Sequence, residues 1–134
     1  MALHTRRDAL LKSVKALPAA AGTAVSDAID LGNTIPGAVG DMIEVEIAIP
    51  ATPALVEAKT ITVTLHDSAD NSSFSAITGL DDIVVTGGTG GAGAAVTRTV
   101  RLPSSTRRYI ATSAVVLTGG GDNTGVSTTL SVLS

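Results

Sequence analysis

From Val25 onward apolar and polar residues alternate with the period of a strand rather than a helix. The clearest case is residues 41–49, where Ile43, Val45, Ile47 and Ile49 fall on one side and Glu44, Glu46 and Ala48 on the other. Residues 59–66 repeat it: Ile61, Val63 and Leu65 point inward, Thr60, Thr62, Thr64 and His66 outward. Such strands have one buried and one solvated face, as in an antiparallel sheet. Further strands are expected at 25–31, 74–78, 82–86, 95–102, 107–118 and 125–133, bounded by Gly, Pro, Asp and Asn. About eight short strands at this spacing predict an all-β antiparallel sandwich, and a jelly roll in particular.

Two segments break the pattern. In residues 107–118, Ile110, Ala114 and Val116 lie on one face, while Tyr109, Ala111, Val115 and Leu117 lie on the other. Apolar residues on both faces predict a central strand covered on both sides. One cover is the opposite sheet. The other is the N-terminal segment or a second copy of the chain, which makes Tyr109, Ala111, Val115 and Leu117 candidate subunit-interface residues. In residues 95–102, Arg98 stands among the inward positions Val96, Val100 and Leu102. That conflict marks a strand end, a bulge or a face covered by a neighbour.

The start of the chain reads differently. Leu10, Leu11, Val14 and Leu17 share one face of a helix over residues 6–17, which Pro18 ends. About twelve residues make a helix marginal alone, so it needs a surface to pack on. Residues 1–23 are therefore expected as an N-terminal arm, with the sandwich domain at 24–134.

Charge sharpens this division. Residues 1–17 carry Arg6, Arg7, Lys12 and Lys15 against Asp8, a net charge of +3, and the rest of the chain carries a net −6. A basic arm on an acidic body suits contact with an acidic surface, and Arg6, Arg7, Leu10, Leu11 and Val14 are the candidate contact residues. The chain has 134 residues, no Cys, no Trp, one Tyr and one Phe. Disulfides and thiolate metal sites are thereby excluded. So few aromatics argue against stacking on sugars or single-stranded nucleic acid. The acidic body argues against duplex DNA. No stretch is apolar enough for a membrane helix, and Asp8, Lys12 and Lys15 interrupt any signal-peptide core.

No catalytic constellation assembles. His66 is the one histidine outside the N-terminal segment, short of the three or four ligands a zinc site needs. The run from Asp67 to Ser73 offers calcium-like oxygens. It lacks the glycine and bidentate Glu of a calcium loop, so it predicts a turn capped by its own side chains. Residues 87–93 read Gly-Gly-Thr-Gly-Gly-Ala-Gly but precede a strand, not the helix a phosphate cradle requires. Serines lack a nucleophile elbow, and Asp81 and Asp82 point to opposite faces. The expectation is no enzyme activity, no cofactor and no metal. Arg107 and Arg108, near Arg98 and Arg101, are expected to pair with carboxylates of a partner or neighbour.

Three stretches resemble the small jelly-roll cement proteins that decorate the capsids of tailed phages. They are Ser26-Asp27-Ala28-Ile29-Asp30-Leu31-Gly32, Leu65-His66-Asp67-Ser68-Ala69-Asp70-Asn71-Ser72-Ser73-Phe74, and Leu102-Pro103-Ser104-Ser105-Thr106-Arg107-Arg108-Tyr109-Ile110. The resemblance implies an eight-stranded jelly roll and a homotrimer, made in the host cytoplasm and placed on the outer capsid surface of the virion. It implies a structural protein that cements the shell by bridging major capsid protein subunits. The alternative is a binding module, such as a fibre head or lectin-like sandwich.

Overall fold

The computed structural model describes residues 7–31, 44–103 and 106–133, and all their regular structure is β. The strands in chain order are β1 (Arg7–Ala16), β2 (Thr23–Val25), β3 (Ile29–Asp30), β4 (Glu44–Ile49), β5 (Thr60–Ser68), β6 (Ser75–Ala76), β7 (Ile83–Thr86), β8 (Val96–Arg101), β9 (Tyr109–Val116) and β10 (Ser127–Leu133). One sheet has the order β1-β10-β4-β8. The other has the order β2-β9-β5-β6, with β3 also on β9 and β7 also on β5. Every pairing is antiparallel.

β2 and β3 are two pieces of one interrupted strand along β9. Residues Ser26–Ala28 between them bulge, and the Ser26 hydroxyl accepts the Thr112 N–H at 3.0 Å. β6 and β7 likewise share one flank of β5. Counted this way, the chain crosses repeatedly between the two sheets, and neighbours within a sheet are distant in sequence. That is a jelly roll. The expected sandwich is present. Two differences are the division of residues 25–31 and an added strand at the start.

The added strand corrects the helix expected over residues 6–17. β1 pairs with β10 from Lys12↔Ser131 to Ala16↔Ser127, after a register shift between Arg7 and Lys12. An apolar stripe at every third or fourth residue fits a helix face. Here the backbone groups of β10 offer a ladder that a short, marginal helix cannot match. The segment is joined to the sandwich at its end too. Leu17 is 1% exposed, and its N–H donates to the Val126 carbonyl at 2.8 Å.

The core lies between the sheets. Val45, Ile47 and Ile49 from β4 face Ile61, Val63 and Leu65 from β5, all buried. The alternation predicted for these strands is the one observed, although Ile43 lies outside the described residues. β9 is central, between β2/β3 and β5. Ile110, Thr112, Ala114 and Val116 point into the core, all buried.

The loops close the ends. Asp70 caps the turn after β5, accepting from the Ser68 hydroxyl and from the backbone N–H groups of Ser72 and Ser73. Those donors, the Ser73 N–H foremost, hold its carboxyl below the usual value. The glycine-rich loop is not left to its own flexibility. Ala92 N–H donates to the Leu55 carbonyl, Gly93 and Thr52 exchange two backbone bonds, and Gly90 N–H donates to the Glu57 carboxylate. Gly87 packs so closely on the Val56 carbonyl that a Cβ there would collide with it.

Candidate functional site

Two features outside the core carry the chemistry: a pair of arginine clamps, and the outer face of the sheet centred on β9.

The clamps sit at the start of β9. Arg107 is fixed to Asp67, the penultimate residue of β5. Its Nε and Nη2 donate to Asp67 Oδ1 at 3.1 and 2.8 Å, and its backbone N–H donates to Oδ2 at 3.0 Å. Arg107 Nη2 also reaches the Asp67 carbonyl and the Ser75 hydroxyl. The Asp67 side chain is nearly buried, so loss of Arg107 would leave a largely desolvated carboxylate with fewer donors, a cost of about 2–3 kcal/mol. Arg108 forms a fork on Asp30 of β3, at 2.7 and 2.8 Å. Its guanidinium also lies 5.2 Å from the centre of the Tyr109 ring. Its carboxylate is far more exposed than Asp67, so solvent screens this pair and it contributes less than the Arg107–Asp67 clamp. Each hydrogen-bonded carboxylate raises the pKa of its arginine further. The two arginines expected to pair with carboxylates of a partner or neighbour thus engage carboxylates of their own chain. They tie the start of β9 to both flanking strands.

The outer face of the same sheet is laid out by register. Thr23, Val115, Thr62 and Val84 form one row across four strands. Val25, Ser113 and Thr64 form the next. Leu117 adds to the far end, its N–H donating to the Thr60 carbonyl. Val25, Val84, Val115 and Leu117 are each between 44% and 52% exposed. The face is therefore made of valine, leucine and threonine, and edged by Asp82, which accepts from Thr64.

The residues singled out from sequence fall unevenly. Tyr109, Ala111, Val115 and Leu117 share this face, as alternation required. Val115 and Leu117 are open to contact, Tyr109 is half-buried and Ala111 is fully buried. Of the N-terminal set, Arg6 lies outside the described residues. Arg7, Leu10, Leu11 and Val14 all belong to β1, in the other sheet. Val14 is 52% exposed opposite Thr129. The two sets thus occupy different sheets. Sequence reasoning missed Ser13, whose hydroxyl donates to the Asp27 carbonyl at 2.8 Å and links β1 to the β2–β3 bulge. A lone serine in an apolar stripe was its only signal.

Among the described residues no group of three or more His, Asp or Glu is placed to hold a metal ion. Asp67 and Asp70 are instead engaged by Arg107 and by the turn. No helix among them is long and apolar enough to cross a membrane.

The family match begins and ends inside this architecture. The model of the Bbp16 family matches residues 14–129, from β1 to β10. The chain belongs to the Bbp16 family. Val14 and Thr129, the two ends of the match, face each other across the β1–β10 ladder, so the family span encloses the sandwich. This Bbp16-family chain is also similar to solved structures. The exported protein XepA of PBSX is matched at a TM-score of 0.53 and 16% identity, over 98% of this chain and 37% of XepA. The chain thus spans little more than a third of that protein, and the likeness is one of fold. A pilus protein of Bacillus endospore appendages is matched at a TM-score of 0.49 and 15% identity, over 96% of this chain and 86% of the other. PirA is matched at 0.49 and 10%, over 91% and 93%. These two likenesses are too loose to carry an argument. No curated protein sequence matches the chain.

Proposed function

We propose that this Bbp16-family jelly roll is a non-enzymatic structural protein of a phage virion, seated on the outer capsid surface as a homotrimer. In this reading it cements the shell by bridging major capsid protein subunits. The observation that carries the proposal is the outer face of the β9 sheet, with Val25, Val84, Val115 and Leu117 each about half exposed. A broad apolar and threonine surface suits protein–protein contact. The resemblance of Ser26–Gly32, Leu65–Phe74 and Leu102–Ile110 to capsid cement proteins supports the same role.

The physical logic is linkage. A protein that binds only the closed shell stabilises the closed shell. A trimer that engages several capsid subunits at once multiplies weak contacts. The lectin-like alternative needs an open aromatic platform. Tyr109 lies against Arg108 and is half-buried, which disfavours it.

The double change Val115→Glu with Leu117→Glu tests the face. Both side chains are about half exposed, so the melting temperature should move by only a few degrees. Light scattering should show the trimer mass of the parent fall to that of a monomer. A variant that stays as associated as the parent, or a parent that is monomeric at every concentration, rules out this face as the subunit contact.

A further inference from the structure

The structure assigns a second contact surface: the free edge of β8, which we infer accepts an extended acidic strand from another polypeptide. This surface belongs to the other sheet and does not depend on the virion role.

A sheet edge with unpaired N–H and C=O groups is a template for strand addition, and proteins blunt such edges unless they use them. The edges of this sandwich differ. β3 and β6 have two residues each, β2 has three and β7 four, too short for a stable ladder. β1 is interrupted by its register shift. β8 is regular: Val96–Arg101 pairs with β4 over six residues without a shift. Among the described residues nothing pairs with its far side. Its composition, Val-Thr-Arg-Thr-Val-Arg, is rich in β-branched residues and free of proline.

Arg98 explains how such an edge stays unpaired. It is opposite Ile47 in the ladder, on the face where Val96 and Val100 pack against the core. Arg98 is nevertheless exposed, because β8 is at the rim. A second copy pairing through β8 would place Arg98 against its own copy or against Val100. The inward arginine therefore blocks self-pairing. It does not block a strand that brings a carboxylate to that position. Arg101, on the opposite face, is the second such group. Neither arginine has a hydrogen bond or ion pair with a described residue, unlike Arg107 and Arg108. The fitting partner is an extended segment with two acidic residues separated by two others. Apolar residues would sit opposite Val96 and Val100.

The probe is a synthetic strand, Thr-Glu-Val-Thr-Glu-Thr-Val-Thr, labelled and titrated by fluorescence polarisation. The expected result is saturable binding that weakens with salt and slows exchange of the β8 amide protons. Arg98→Glu should weaken binding at least about tenfold, and a peptide with lysine in place of only its second glutamate, the one opposite position 98, should recover it on that variant. The melting temperature of Arg98→Glu should stay near the parent's, since the side chain is exposed. The inference is overturned by no binding at millimolar peptide, by equal binding to Arg98→Glu, or by protection of amides elsewhere than β8.

Discussion

Val45→Asp is expected to leave the chain unfolded at room temperature. Val45 is fully buried at the middle of its sheet, between Val132 of β10 and Val100 of β8. A carboxylate there has no basic partner and cannot reach water. Burying an unpaired charge costs several kcal/mol even after its pKa adjusts, and a domain of this size has about 5–15 kcal/mol in total. The neighbouring change Glu46→Thr faces outward and should cost about 1 kcal/mol or less. Thermal melts followed by circular dichroism compare them. A cooperative melt for Val45→Asp near the parent temperature would mean that the register of β4 is wrong.

Deleting residues 1–18 is expected to destabilise the sandwich severely. The deletion removes β1 and Leu17 together and leaves β10 as a bare edge. Leu17→Ala alone should cost about 3 kcal/mol, because the side chain is fully enclosed. That lowers the melting temperature by about 10 °C. The sequence reading, with residues 1–23 as an arm, anticipates no change in melting temperature on deletion. The two views are therefore separated by one calorimetric scan. An unchanged transition in the truncated protein would return β1 to the status of an attachment arm.

The contrast between these two segments shows what the sequence could reveal. Residues 44–49 and 60–66 were legible because strict alternation has one structural solution in a chain with a single core. Residues 10–17 were not, because Leu10, Leu11, Val14 and Leu17 fit a helical stripe, whereas the strand they form turns Val14 outward and Leu17 into the core. What decides between them is the open edge of β10, more than a hundred residues away in sequence. Arg98 was legible as a conflict but not as a device, since only the sheet order places it at a rim. Arg107 and Arg108 were legible as carboxylate partners. Their targets, Asp67 and Asp30, lie 40 and 78 residues away and become neighbours only once β9 is seated between β3 and β5. On the outer face, alternation correctly grouped Tyr109, Ala111, Val115 and Leu117. Their exposure was not legible: Ala111 is fully buried, while Val115 and Leu117 are open.

The role in cementing a shell is tested most directly on DNA-filled capsids of the source phage, prepared with and without the protein and heated until DNA is released. Capsids carrying it should release DNA at a higher temperature, and adding the purified protein back to stripped capsids should restore the difference. Identical release temperatures with the protein present on the shell, or its absence from purified virions, would contradict the proposal.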